Sequence, residues 1–88
     1  MKSYFYSKKL SATTDEQTLT LPRLRNLTVI NIGGDDIQIC PDNSIDTDSP
    51  IIPVGMSIVL GSDHLTLKYK AVTSTSTLYI YGYKHEKS

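Results

Sequence analysis

Leu-Thr-Leu-Lys-Tyr-Lys-Ala, at positions 65–71, places apolar and polar side chains in regular alternation. Leu65, Leu67 and Tyr69 share one face, and the residues between them are Thr or Lys. Because successive side chains of a β-strand point to opposite sides, this pattern predicts a strand with one buried and one solvated face. A second strong strand is expected at 78–83. These two segments favour an all-β domain.

Further short apolar segments are separated by turn residues along the rest of the chain. We expect strands at 3–7, 17–21, 26–32, 37–40 and 56–60. Gly33 and Gly34, followed by two aspartates, lie between two apolar runs and predict a tight hairpin. No segment has the periodicity of a helix. The fold class predicted is a single small antiparallel β-sandwich or jelly-roll-like barrel of about seven to eight strands.

The chain has 88 residues, of which 39% are hydrophobic, and a single cysteine, Cys40. That length suits one domain, and no linker or repeat divides it. We therefore assign 1–88 to one β domain, with 1–11 and 84–88 as candidate arms or flexible ends. The lone cysteine excludes an intrachain disulfide and a cysteine-based zinc site. So small a core is expected to be stabilised by packing alone or by association with other chains.

Charge is balanced overall but divided along the sequence. Nine Lys and Arg offset nine Asp and Glu, which disfavours a general nucleic-acid binder. The segment from Asn26 to Leu67 contains no Lys or Arg and six aspartates, so the flanks carry the compensating positive charge. Such a division can steer one subunit's acidic loops onto a neighbour's basic ends, unless strand pairing cancels it in space.

The most suggestive polar cluster is the loop between Pro41 and Pro53. Asp42, Ser44, Asp46 and Asp48 fall at alternate positions there, and the oxygens of the three aspartates suit a hard cation such as calcium. The glycine and the bidentate glutamate of an EF-hand loop are both missing. Aspartates in a proline-containing loop more often form turns that face water. We expect solvated turns and no metal, with these three aspartates as the weaker metal-site alternative.

No arrangement typical of catalysis is visible in the sequence. His64 and His85 fall in a turn and in the charged C-terminal tail, and Ser57 lacks the second glycine of a nucleophile elbow. Cys40 ends an apolar strand and is expected to be buried and inert. We therefore predict that the protein is not an enzyme, with no catalytic residues and no cofactor.

The tyrosines carry the strongest sign of a binding surface. Tyr79, Tyr81 and Tyr83 lie on one face of the last predicted strand, opposite Leu78 and Ile80. Tyrosine offers a large contact area with a polar group at its tip, which suits a protein interface or sugar stacking. The alternative is that the row covers the edge of the core. Tyr4 and Tyr6 are further interface candidates, expected to pair across from this row.

The segments 27–33, 36–39, 52–60, 65–71 and 77–81 follow one another in a recognisable order. This order, an apolar strand, a glycine turn, an Ile-x-Ile strand, a proline-glycine loop and two closing strands, resembles the small β-sandwich proteins of tailed bacteriophage virions. Those include head decoration, head-fibre base and tail or baseplate components. The resemblance implies a non-enzymatic structural and assembly role, a homo-oligomer that contacts other virion proteins, and a virion location after synthesis in the host cytoplasm.

An alternative function is a carbohydrate- or host-surface-binding module, motivated by the tyrosine row and the acidic loop. The N-terminus has no apolar region of signal-peptide length, and no apolar run approaches the length of a transmembrane segment. The partners expected are therefore proteins, without nucleic acid or membrane.

Overall fold

Eight β-strands and their connections make up the part of the chain that the computed structural model describes, residues 5–61 and 64–84. In chain order they are β1 (Phe5–Ala12), β2 (Gln17–Thr20), β3 (Leu24–Gly33), β4 (Ile37–Pro41), β5 (Ile51–Ile52), β6 (Ser57–Val59), β7 (Thr66–Ala71) and β8 (Ser76–Lys84). Within those residues no helix has the length and apolarity needed to cross a bilayer.

The strands form two antiparallel four-stranded sheets. Sheet A has the order β1-β8-β3-β6, and sheet B has the order β2-β7-β4-β5. The first and last strands are neighbours in sheet A, and consecutive strands repeatedly lie in opposite sheets, as in a jelly roll. The predicted all-β, jelly-roll-like sandwich is confirmed.

The core lies between the two sheets and is built from the inward face of each strand. Sheet A contributes Leu27 and Val29 of β3 with Leu78 and Ile80 of β8, all at most 1% exposed. The inward residues of sheet B are Ile37, Ile39, Ile52, Leu67, Tyr69 and Ala71. Each fully buried aliphatic side chain contributes about 1.5–3 kcal/mol. The predicted alternation of 65–71 is confirmed within β7, whereas Leu65 precedes the strand and is 68% exposed.

The predicted hairpin at Gly33-Gly34 is wrong. β3 belongs to sheet A and β4 to sheet B, so this connection carries the chain from one sheet to the other. Gly33 and Gly34 have φ angles of 151° and 102°, which redirect the backbone between the sheets. The Asp35 carboxylate then accepts the N–H groups of Thr73 (2.6 Å) and Ser74 (2.9 Å), which joins this connection to the one between β7 and β8.

Residues 5–11, expected as part of an N-terminal arm, instead form most of β1. They pair with β8 in continuous register from Phe5↔Tyr83 to Ser11↔Thr77, because the two ends of the chain meet in sheet A. Lys84 is likewise part of β8. The segments 1–4 and 85–88 lie outside the described residues.

The two signs of charge occupy different places in the fold. Every described Asp and Glu lies in a connection, whereas every described Lys and Arg except Arg23 lies on a strand. The connections 13–16 and 34–36 lie at the same end of the sandwich, because β1 and β3 both run towards it. This end carries four acidic residues, Asp15, Glu16, Asp35 and Asp36, and no Lys or Arg in those connections.

Candidate functional site

The outward side chains of sheet A form three rows that cross its strands. The inward positions Leu78 and Ile80 are 0% exposed, so the residues alternating with them point away from the core. We call the following set the aromatic face: Phe5, Tyr83 and Arg25 in the first row; Ser7, Tyr81, Thr28 and Val59 in the second; Lys9, Tyr79, Ile30 and Ser57 in the third. It contains two cations and no carboxylate.

Ring contacts hold the aromatic half of this face together. The ring centroid of Phe5 lies 5.9 Å from that of Tyr81 and 5.4 Å from that of Tyr83, and Tyr79 lies 6.1 Å from Tyr81. Such pairs contribute about 0.5–1.5 kcal/mol each beyond the area they bury. The rings are thus oriented by one another while Phe5 and Tyr83 remain 45% and 51% exposed.

The tyrosine row lies on the predicted face of β8, but Tyr6, which was expected to lie across from it, does not. Tyr79, Tyr81 and Tyr83 lie opposite the buried side of β8, as expected; their role as an interface stays a prediction. Tyr6 pairs with Gly82 and packs against the core from the other side of the sheet. Phe5 joins the row instead, since its partner in the register is Tyr83. Tyr4 lies outside the described residues.

The outer face of sheet B, by contrast, is crossed by the chain's own loop 42–50. The outward-pointing Gln38 side chain donates through Nε2 to the carbonyl oxygens of Asp46 (2.8 Å) and Ser49 (3.1 Å). At the β2 edge of sheet B, the Ile45 N–H donates to Oε1 of Glu16 (2.9 Å), the residue that precedes β2. Cys40 lies on this outer face and is half-buried rather than buried in the core as expected.

Asp42 connects loop 42–50 to the segment preceding β7. Its Oδ1 accepts the N–H groups of Leu65 (2.7 Å) and Thr66 (3.1 Å), and its Oδ2 lies 2.9 Å from His64 Nδ1. The hydrogen bond from His64, followed by those from the backbone, holds the pKa of Asp42 below its ordinary value.

The other two aspartates of the predicted metal alternative have separate roles. Asp46 Oδ1 accepts the Asp48 N–H (2.9 Å) and the Ser49 hydroxyl (3.3 Å), which is a local turn. The described residues contain no group of three or more His, Cys, Asp or Glu side chains placed to hold a metal ion. The carboxylates of Asp42 and Asp46 accept the hydrogen bonds that fasten the loop, and Asp48 contributes its backbone N–H to the turn at Asp46.

Asn31 is a polar residue inside the sandwich that sequence reasoning missed. It is 0% exposed, and its Nδ2 donates to the carbonyl oxygens of Asp35 (2.7 Å) and Ile52 (2.8 Å). Its Oδ1 accepts the Gly33 N–H (3.1 Å) and lies 3.0 Å from the Ser76 hydroxyl, which also contacts the Gly33 carbonyl. The only sequence signal is an asparagine at an inward position within an apolar run. All its polar atoms are used in holding the connections together.

An open cleft of about 450 Å³ lies at the acidic end of sheet A. Its lining is small and hydroxylated, with no charged side chain: Ser11, Ala12, Thr13, Gly33, Gly34, Thr75, Ser76 and Thr77. A catalytic site needs titratable groups that converge on one point. The residues that line this cleft offer hydroxyl and backbone groups for hydrogen bonding, and none of them has a carboxyl, imidazole or amino side chain.

Comparison with known proteins gives matches to solved structures only. No protein-family model and no curated protein matches the chain. Hydroxypropylphosphonic acid epoxidase from S. wedmorenis matches with a TM-score of 0.67 and 12% identity over 91% of this chain, which spans 44% of the epoxidase. A conserved protein of unknown function from Streptococcus pyogenes, SPY1581, matches with a TM-score of 0.67 and 15% identity over 99% of this chain and 70% of its own.

A cupin-2 domain containing protein from Shewanella frigidimarina also matches, with a TM-score of 0.61 and 12% identity over 96% of this chain and 74% of its own. The class defined by these likenesses is the cupin-like jelly roll. At such identities they establish the fold alone.

These neighbours overturn the predicted bacteriophage function. One of them is described as an epoxidase and another as containing a cupin-2 domain, and none of the three is described as a virion component. The expected role as a capsid decoration, head-fibre or tail protein located in the virion is therefore wrong. The alternative prediction, a carbohydrate- or host-surface-binding module, is also not supported by these neighbours. The strand order behind the resemblance reflects what a small jelly roll requires, because apolar strands and glycine or proline turns recur in any such fold.

One structure of the epoxidase is described as its Fe(II) form. The described residues of this chain do not fit such a centre. The space between the sheets is filled with aliphatic side chains, and Asn31 turns both N–H groups of its amide towards backbone carbonyls. Among residues 5–61 and 64–84, no three His, Cys, Asp or Glu side chains converge to supply the ligands that a metal centre requires.

Proposed function

We propose that this chain is a non-enzymatic cupin-fold domain that acts by binding, and that the aromatic face is where it binds a second copy of itself. The observation that carries the proposal is the contrast between the two sheets. Sheet B is crossed on its outside by loop 42–50, whereas sheet A exposes a row of aromatic rings beside an aliphatic patch.

The composition of the aromatic face supports protein contact. Tyrosine, phenylalanine and arginine are enriched in interface cores, and carboxylates are depleted there. The ring of Tyr81 already contacts those of Phe5 and Tyr79, so less side-chain freedom remains to be lost on binding. Val59, at 64% exposure, adds an aliphatic side chain that water solvates poorly.

The size of sheet A also suits self-association. The strands β1, β8, β3 and β6 have 8, 9, 10 and 3 residues. At about 3.3 Å per residue and about 4.8 Å between strands, they give a face of roughly 480 Å². Two such faces in contact bury roughly 950 Å², close to the roughly 1,000 Å² at the lower end for specific interfaces, so the association expected is a weak, concentration-dependent one.

A face-to-face contact is favoured over pairing of strand edges. β1 is the long edge strand of sheet A, and Lys8 lies on its inward side, opposite Ile80. A charged side chain on the inward side of an edge strand opposes the addition of another strand, because that strand would bury the charge. The open surface that remains is the outer face of the sheet.

Sedimentation equilibrium of the purified chain tests the proposal with two matched variants. Val59→Lys puts a charge on the aromatic face, and Leu65→Lys puts one on a similarly exposed aliphatic residue, 68% exposed, outside it. We expect a monomer–dimer equilibrium whose dissociation constant rises at least about tenfold in Val59→Lys and stays within about twofold in Leu65→Lys. A chain that remains monomeric at millimolar concentration contradicts the proposal, as does equal weakening by both substitutions.

A further inference from the structure

The aromatic face is not uniform across its width. Its β1 and β8 half carries four aromatic rings, those of Phe5, Tyr79, Tyr81 and Tyr83. Its β3 and β6 half carries the smaller side chains Thr28, Ile30, Ser57 and Val59, of which Thr28 is only 9% exposed, with Arg25 at one end. Most side chains of the β1 and β8 half are therefore longer than those of the β3 and β6 half, with Ser7 and Arg25 as the exceptions. We call the first the tall half and the second the low half.

The two limiting directions of a two-fold axis in the plane of contact are perpendicular and parallel to the strands. An axis perpendicular to the strands places each strand over its own copy, so that tall half meets tall half and a gap remains between the low halves. An axis parallel to the strands, passing between β8 and β3, reverses the order of the strands. The tall half of each copy then fills the space above the low half of the other.

Resting on the proposed self-association, we infer that the dimer axis runs parallel to the strands, between β8 and β3. Close packing at an interface requires complementary shape, which the parallel axis supplies and the perpendicular axis does not. The two sheets then pack face to face with nearly aligned strands, the common arrangement of sheets in sandwiches.

With this axis, the outward side chains of each row also meet suitable side chains of the other copy. It keeps the rows in register and brings these groups together across the dimer: Tyr83 over Arg25, Tyr81 over Thr28, Tyr79 over Ile30, and Ser7 over Val59. The Arg25 guanidinium, which has no carboxylate on this face, meets the ring of the other copy's Tyr83, a favourable cation–π pair. Lys9 lies over Ser57 at the rim, where its ammonium stays in water.

Cysteine cross-linking distinguishes the two axes. In a Cys40→Ser background, Ser7→Cys and Val59→Cys are made as separate chains and then mixed with a thiol-specific bifunctional cross-linker. A linker of about 8–10 Å is used because face-to-face sheets lie about 10 Å apart, beyond the reach of a disulfide. With the perpendicular axis the two positions are also displaced sideways by three strand spacings, about 14 Å, and the linker does not reach. The parallel axis places Ser7 over Val59, so we expect a linked dimer in the mixture and none from either chain alone. Thr18→Cys, on the outer face of sheet B, is the control and should link to neither.

The outcomes separate this inference from the function on which it rests. A linked dimer formed by Ser7→Cys alone places the axis perpendicular to the strands and overturns the inference, while leaving self-association intact. A dimer in sedimentation that links in none of these combinations places the contact elsewhere and also overturns it. A monomer in sedimentation at every concentration shows instead that the proposed function itself has failed.

Discussion

Asn31 is the residue on which several connections of the fold depend. Its amide bonds the backbone of Gly33, Asp35 and Ile52, which belong to the chain segments around β3, β4 and β5. The bond to Ile52 is buried and those to Gly33 and Asp35 are partly buried, so these backbone groups depend on the partner that Asn31 supplies. A single side chain thus replaces the backbone pairing that a β3–β4 hairpin would have provided.

Replacing Asn31 should therefore be costly. In Asn31→Leu, the buried carbonyl of Ile52 loses its partner, as do the partly buried carbonyl of Asp35 and N–H of Gly33. Each such loss costs about 1–3 kcal/mol when the group is fully buried and less when water reaches it. We expect the free energy of unfolding in urea to fall by about 3–5 kcal/mol. Asn43→Leu, at an exposed position in loop 42–50, should change it by less than about 0.5 kcal/mol. Similar losses in both variants would show that the Asn31 hydrogen bonds contribute little.

Asp42 should make the stability of the fold depend on pH in the acidic range. Its pKa is lowered in the folded state by His64 and by the N–H groups of Thr66 and Leu65. A carboxylate with a lowered folded-state pKa stabilises the protein above its ordinary pKa, near 4, and that contribution is lost as the pH falls through the lowered value. Stability from Asp42 is therefore present at about pH 5.5 and lost in stronger acid.

The measurement is urea unfolding of the unmodified chain and of Asp42→Asn between about pH 5.5 and pH 2.5. We expect the unmodified chain to be the more stable at the upper end and the difference to shrink as the pH falls. Asparagine tolerates the φ of 65° at this position, so the variant tests the charge and not the backbone. Asp48→Asn, in the same loop, is the control. A difference that stays constant to the lowest pH contradicts the assignment.

At the level of the strands and their connections, the crossing from sheet A to sheet B depends on Gly34. A Cβ atom at Gly34 would lie 2.5 Å from the Thr75 carbonyl oxygen and 3.0 Å from the Ser76 Cα. The close approach of these two connections therefore requires the absence of a side chain there.

Comparing two glycines isolates this contact. Gly34 and Gly55 both have positive φ angles, 102° and 85°, but a Cβ at Gly55 would meet nothing within 4 Å. Both Gly34→Ala and Gly55→Ala should lose stability through backbone strain, about 1–3 kcal/mol each. Gly34→Ala should lose at least about 1 kcal/mol more because of the collision with Thr75. Equal losses in urea unfolding would indicate that the two connections move apart at no cost.

For the whole molecule, self-association links stability to concentration. Because the dimer forms from folded chains, the melting temperature of the unmodified protein should rise with its concentration. Val59→Lys should melt at the same temperature as the unmodified chain when both are dilute, and should show little rise on concentration. Calorimetry over a hundredfold range of concentration measures this. A melting temperature of the unmodified chain that does not change over that range argues against a dimer.

The alternation of apolar and polar residues along the sequence was enough to predict most of the strands and the sides of β7 and β8 that face the core. It predicted the all-β class, the inward residues of β7 and β8, and the outward row Tyr79, Tyr81 and Tyr83, since period-two patterning depends only on neighbours in the sequence. The tertiary structure decided the rest. It placed β3 and β4 in different sheets, brought Phe5 rather than Tyr6 to the tyrosines, and laid loop 42–50 across sheet B. These outcomes depend on contacts between residues far apart in the chain, which no local pattern specifies.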